Sequence, residues 1–197
     1  MAHDFMILPL YAAMSPEDQL KVFAKQTKGI RKFILSTNIA ETSVTISGIK
    51  YVVDCGYVKT RWIQPNTGME ILKSIPISKS QANQRAGRAG REQDGTVYRL
   101  YTELVFETLD DQSIPEIQRV GMAQVILNLL SYGVKDIIDF PYLNPPSESI
   151  LRKGLEQLYA FGAIDNKQTI TTHGRNMSFL PIDPQYAHML LKSNQFG

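Results

Sequence analysis

One cysteine, Cys55, stands in 197 residues, which excludes an internal disulfide framework and fits a reducing compartment. No apolar run approaches the length of about eighteen residues that a helical membrane span needs. The apolar stretch over residues 5–13 has no basic leader, follows Asp4 and contains Pro9, so a buried strand explains it better than a secretory segment. Charge of one sign is not in excess either: 21 basic and 19 acidic residues leave a net +2, and any surface for a polyanion must be local. The three histidines, His3, His173 and His188, are scattered without carboxylate or cysteine partners at ligand spacing, which gives no metal site and no acid–base role. Internal repeats and low-complexity tracts are missing as well.

What is present, 43% hydrophobic and 20% charged residues, describes a globular chain long enough for one large domain or two small ones. Its first half alternates. Residues 5–10 read as a strand, and Ser15, Pro16 and Asp18 start a helix that runs to about Gln26, with Ser15 as N-cap. Short strands follow at 31–36, 49–54 and 96–101, Cys55 adjoining the second as a small hydrophobe, with helices at 41–45 and 79–88. Strand–helix alternation argues for a parallel sheet covered on both faces. Between residues 57 and 77 the pattern becomes two strands flanking Gln64-Pro65-Asn66-Thr67-Gly68, an antiparallel hairpin. After Pro115, Ile117, Val120, Met122, Val125, Ile126, Leu129 and Leu130 recur near the helical period and Gly133 ends the run. A second amphipathic helix spans 147–161, two very short strands surround an Asp-Asn-Lys turn at 163–170, and helices follow at 172–180 and 184–191. Because the first strand opens the chain almost at once, the sequence reads as part of something longer.

The densest polar cluster is Gln84-Arg85-Ala86-Gly87-Arg88-Ala89-Gly90-Arg91. Guanidiniums at i, i+3 and i+6 on a helix or tight turn offer forked donors suited to phosphate oxygens. Two glycines among them would weaken a solvated helix face, but they clear the way for an approaching ligand or backbone.

This run resembles the sixth signature motif of the DEAH-box RNA helicases of superfamily 2. Ser36-Thr37-Asn38-Ile39-Ala40-Glu41-Thr42-Ser43 with Val44-Thr45-Ile46 is similar to the family's motif V, and Tyr51-Val52-Val53-Asp54-Cys55-Gly56 to the strand after it. Tyr98-Arg99-Leu100-Tyr101 and Ser113-Ile114-Pro115-Glu116-Ile117 resemble the family's exit from its second motor domain. The resemblance covers essentially the whole chain. It implies an α/β fold: a partial second RecA-like domain over 1–114 with a parallel sheet and an inserted β-hairpin at about 57–77, a mostly helical winged-helix domain over 115–182, and the start of a helical bundle over 183–197.

The same resemblance implies roles. Arg88 and Arg91 become arginine fingers toward the γ-phosphate of ATP or another NTP, and Gln84 contacts that phosphate or orients the attacking water. Arg85 joins the nucleotide site or braces it through carboxylates. Phe23 stacks on the base, although an aromatic at helical spacing also suits a core, and Ser43 responds to the γ-phosphate. Ser47 stands where many relatives carry a ribose-binding aspartate, so it offers one hydrogen bond in place of a charged pair. Thr37 and Asn38 contact the backbone of single-stranded RNA, and a threonine or serine of this segment also suits a cap for the helix after the strand. Lys59, Arg61 and Trp62 on the hairpin contact the same strand, or Trp62 packs on a neighbouring domain.

Neither a Gly-x-x-x-x-Gly-Lys-Ser/Thr loop nor Asp-Glu-Ala-His occurs in these 197 residues, so the phosphate cradle and the Mg²⁺ ligands must come from a first RecA-like domain outside them. By itself the chain is expected to be inactive. In the intact protein the resemblance implies translocation on RNA and remodelling of RNA–protein complexes in splicing or ribosome biogenesis. It further implies a nuclear monomer without membrane contact, activated by a G-patch-type partner. The rival readings are a non-catalytic RNA-binding or docking module derived from a helicase half, and a DNA helicase of the same superfamily.

Overall fold

The computed structural model describes residues 4–25, 29–64 and 67–194, and the chain divides into two compact units. One comprises Met1–Lys59 and Ser74–Ser113, the other Thr60–Lys73 and Ile114–Gly197. In the first unit, β1 (Phe5–Leu10) and β2 (Arg31–Ser36) pair in parallel with Phe5 opposite Arg31 and Leu10 opposite Ser36. The connection carries α1 (Pro16–Lys21), started by Ser15, whose Oγ accepts from the Asp18 amide at 3.2 Å. The helix is shorter than the periodicity suggests. Lys21 is its last residue, and Gln26, the expected end, lies outside the described residues.

After β2 the chain makes one helical turn, α2 (Ile39–Thr42), then β3 (Tyr51–Asp54). The N-cap residue is Asn38 and its side chain makes no capping bond, so the threonine or serine cap expected here does not form. The hairpin strands β4 (Tyr57–Ile63) and β5 (Glu70–Pro76) pair with each other, and so short a connection forces them antiparallel. Pro65 and Asn66 of the expected turn lie outside the described residues. α3 (Lys79–Ala86) begins with a complete capping box between Ser78 and Gln81. β6 (Thr96–Arg99) returns parallel to β3 with Tyr51 opposite Thr96, and α4 (Glu103–Glu107), absent from the sequence reading, is capped by Thr102.

The strands are less covered than expected. Leu10, Val22, Ile77, Ala82 and Ala89 are buried, but Phe5, Ile7, Phe33 and Leu35, on one face of the β1–β2 pair, are between 48% and 66% exposed. Parallel strands normally carry cover on both faces; among the described residues nothing covers this one. Cys55 follows β3 and is exposed, so it does not serve as a buried strand hydrophobe.

The second unit packs α5 (Ala123–Ser131), α6 (Glu148–Ala160), α7 (Thr172–Ser178) and α8 (Pro184–Ser193) around Met122, Ile126, Leu127, Leu151, Leu158, Met177 and Ala187. Close helix approach is built in at Gly154, where a Cβ would lie 2.7 Å from Ile126 Cδ1. The single helix expected after Pro115 is broken into a 3₁₀ turn at Glu116–Gln118 and α5. The cause is tertiary: the Arg119 carbonyl accepts from the Ile63 amide at 2.7 Å, and the Arg119 guanidinium donates to the Arg61 carbonyl at 3.0 Å. The two short strands expected at 163–170 reduce to one antiparallel bridge, Ile164 to Ile170. Asp165 Oδ1 accepts from the amides of Lys167 and Thr169, both at 2.8 Å, and the turn closes too tightly for a ladder.

Two of the histidines are not scattered in space. His173 Nε2 lies 3.0 Å from His188 Nδ1, in hydrogen-bond contact between α7 and α8, while His3 lies outside the described residues. Burial, then the charges of His188 and Lys192, hold the His173 imidazole below its ordinary value. The unfolded chain therefore binds more protons than the folded one just below the usual histidine range, and stability rises with pH there. Full stability is expected above about pH 6.5, with a progressive loss on acidification toward the depressed folded value. Thermal melts of the chain between pH 7.5 and 5 check this, and His173→Gln should flatten the dependence. No group of three or more histidine, cysteine or carboxylate side chains is placed to hold a metal among the described residues.

Candidate functional site

The polar run at the end of α3 lies against the α2 segment and β3, all in the first unit. Arg85, in the last turn of α3, donates from Nε to Glu41 Oε2 at 2.9 Å and from Nη1 to Asp54 Oδ1 at 2.7 Å. Its side chain is 15% exposed, those of Glu41 and Asp54 7% and 0%. Burial by itself would lower the Arg85 value, but the hydrogen bonds and charges of Asp54 and Glu41 outweigh it and raise it overall. Gln81 Nε2 donates to the other Glu41 oxygen at 3.1 Å, and the Tyr101 hydroxyl to Asp54 Oδ2 at 3.0 Å. Burial and the Asp54 carboxylate push Tyr101 up to about 12.

This geometry corrects the placing of Arg85 among cofactor-binding residues. Its guanidinium also reaches the Tyr57 carbonyl at 3.3 Å, so its described contacts all point into the protein. Of the two roles open to it, the brace is the one the contacts support. Glu41, Asp54, Gln81 and Tyr101 are absent from the sequence reading of the site. The available signal was Asp54 at the end of the apolar run Tyr51-Val52-Val53, close in the fold to a basic run that needed partners.

Arg88 and Arg91 lie past the helix end. Arg88 donates from Nη1 to the Val44 carbonyl at 3.0 Å and from Nη2 to the Glu41 carbonyl. Burial and then the charge of Arg91 lower its value. Arg91 is exposed and donates from Nη1 to Thr45 Oγ1, and Glu92 Oε2 accepts from the Gly48 amide at 2.9 Å. Arg88 is thus half-buried and tethered by two carbonyls, and Arg91 is exposed and bonded to a hydroxyl. Neither Gly87 nor Gly90 has a positive φ; a Cβ on Gly87 would make only ordinary contacts at 3.5 Å, and one on Gly90 would meet nothing within 4 Å. Packing among the described residues thus gives no reason for glycine at either position.

The remaining candidates divide between neighbourhoods. Gln84 lines a shallow depression with Lys79, Ser80, Asn83, Asp111 and Gln112, away from the contacts of Arg88 and Arg91. Thr37, Asn38, Ser43 and Ser47 are exposed along the segment that receives the arginines, and Ser43 Oγ lies 3.4 Å from Thr42 Oγ1. Phe23 is 41% exposed in the turn after α1, while its neighbour Val22 is fully buried. On β4, Lys59 and Arg61 lie on the exposed face and Trp62 on the other. Trp62 is half-buried with the Lys73 ammonium 5.4 Å from its ring centroid.

Residues 1–93 match the family described as the helicase conserved C-terminal domain. The whole chain is 43% identical to the human protein named probable ATP-dependent RNA helicase DHX35, covering 28% of it. It is 46% identical to mouse ATP-dependent RNA helicase DHX33, over 97% of this chain and 28% of that one. It is also 46% identical to the Arabidopsis thaliana pre-mRNA-splicing factor ATP-dependent RNA helicase DEAH10, over 96% of this chain and 27% of that protein. Two crystal structures of Escherichia coli HrpB, described as a DExH-box NTPase and a DEAH/RHA helicase, superpose with TM-scores of 0.84 and 0.88 at 35% identity, covering 97% of this chain and 24% of theirs. The chain thus spans little more than a quarter of the curated relatives it matches. Its parallel strand pairs with intervening helices match the RecA-like fold of that region, and over essentially its whole length the chain is similar to DEAH-box RNA helicases.

Proposed function

We propose that this chain is the arginine-supplying half of an ATP-dependent RNA helicase motor. The carrying observation is that Arg88 and Arg91, beside two glycines that no packing among the described residues requires, converge on the segment bearing the exposed Thr37, Asn38 and Ser43. Cationic forks next to small hydroxyl and amide side chains suit phosphate oxygens on one side and a sugar–phosphate backbone on the other. A nucleoside triphosphate with Mg²⁺, bound chiefly by a first RecA-like domain outside this sequence, supplies the phosphoryl group. Arg88, Arg91 and Gln84 would meet its γ-phosphate, Phe23 its base, Ser47 its ribose, and Ser43 would respond to the γ-phosphate. Lys59 and Arg61 extend the RNA path, with Trp62 in a packing role. In this assignment residues 1–114 are the second RecA-like domain, 115–182 a winged-helix domain and 183–197 the start of a helical bundle.

Relatives named as a splicing factor and as RNA helicases favour a nuclear protein that remodels RNA–protein complexes in splicing or ribosome assembly, working with a G-patch-type activator. The deciding experiment is polynucleotide-stimulated ATP hydrolysis by the intact protein. Single-stranded RNA is expected to raise turnover about tenfold or more over single-stranded DNA of the same length, because 2′-hydroxyl contacts distinguish the two. Equal stimulation would make it a DNA helicase or a non-selective one. No hydrolysis with either would favour the docking-module reading.

A further inference from the structure

Glu41 is bound at both ends of the residue. Its carboxylate accepts from Arg85 Nε at 2.9 Å and from Gln81 Nε2 at 3.1 Å, and its backbone carbonyl accepts from Arg88 Nη2. Arg85 is in turn locked by Asp54 at 2.7 Å, and Asp54 by the Tyr101 hydroxyl at 3.0 Å. A single helical turn such as Ile39–Thr42 has little stability of its own, so its carbonyls stay in place only while something outside it holds them. The side chain of Glu41 is that hold.

We propose that Glu41 is the positioning residue for Arg88: its carboxylate, gripped from α3, fixes the carbonyl on which the guanidinium rests. The inference depends on Arg88 being the γ-phosphate arginine. A guanidinium has five N–H donors. Two serve the carbonyls of Glu41 and Val44, which leaves others for phosphate without releasing the tether. Fixing the fork in advance removes rotamer entropy that binding would otherwise have to overcome. Glu41 touches neither nucleotide nor RNA in this scheme; it acts through Arg88.

The test is equilibrium binding by the intact protein of a non-hydrolysable ATP analogue and of ADP, whose affinity ratio reads the γ-phosphate contact. Glu41→Ala is expected to lower that ratio about tenfold with ADP affinity nearly unchanged, and to lower it no further when Arg88→Ala is already present, as required if one residue acts through the other. Glu41→Gln keeps an acceptor for Arg85 and should hold the ratio within about threefold of wild type; it also answers the case in which the alanine variant does not fold. An unchanged ratio in Glu41→Ala, or losses that add in the double variant, would overturn the proposal. If Arg88→Ala alone leaves the ratio intact, the finger assignment itself fails, a separate outcome.

Discussion

Replacing Arg88 with alanine in the intact protein is expected to lower RNA-stimulated NTP turnover about a thousandfold or more, while RNA binding without nucleotide stays within about twofold. In phosphoryl transfer the protein does little covalent work, and its contribution is placed positive charge where the transition state carries spread negative charge. Arg88 is suited to that by its tether, since Val44 and Glu41 carbonyls fix the fork and burial strips part of its water. The RNA-side residues Thr37 and Asn38 are on the same segment but do not depend on that side chain for their backbone: the Thr37 amide donates to the Leu10 carbonyl at 3.1 Å. Single-turnover hydrolysis and RNA titration measured on one preparation separate the two effects. Normal turnover in the variant would refute the assignment.

The second large effect is on folding. Arg85→Ala should destabilise the first unit by about 3–5 kcal/mol, because it strands two carboxylates, Glu41 and Asp54, that are 7% and 0% exposed. Tyr101 and Gln81 would still each donate one hydrogen bond, but neither carries charge. Arg85→Lys keeps the charge yet cannot bridge both acceptors as a planar fork does, so it should recover only part of the loss. Denaturant unfolding of the three proteins, with the arginine parent as reference, measures this. Equal midpoints for alanine and arginine would mean that the pairs contribute nothing net.

Local rules made much of the first unit readable. Ser15 caps the helix that follows, as its position indicates, and alternation of short strands with helices carried the parallel pairing; the short helix capped by Thr102 went unread. Ser78 and Gln81, reciprocal in their bonds, start α3 within one residue of where the sequence placed it. What local pattern could not supply was contact across long separations. The break near Arg119 depends on a bond to Ile63 in β4, and a run of apolar residues at helical spacing gives no warning of it. The same holds for the site. The arginine run announced that phosphate-seeking groups were present, yet the three differ in their acceptors: two buried carboxylates and the Tyr57 carbonyl for Arg85, two backbone carbonyls for Arg88 and one hydroxyl for Arg91. Equal spelling concealed three different jobs, since spacing on a helix fixes direction only while the helix lasts, and α3 stops at Ala86.

The Tyr101 phenol, pushed up to about 12, keeps its proton at every pH at which the protein works. Its bond to Asp54 is thus a permanent fastener rather than a proton relay, and it pins the strand-side end of the arginine network. At the other end Arg88 keeps its bonds to the Glu41 and Val44 carbonyls, and its remaining N–H donors stay open. The network therefore runs unbroken from a fixed anchor on the strand side, through Arg85 and Glu41, to the carbonyl that seats Arg88.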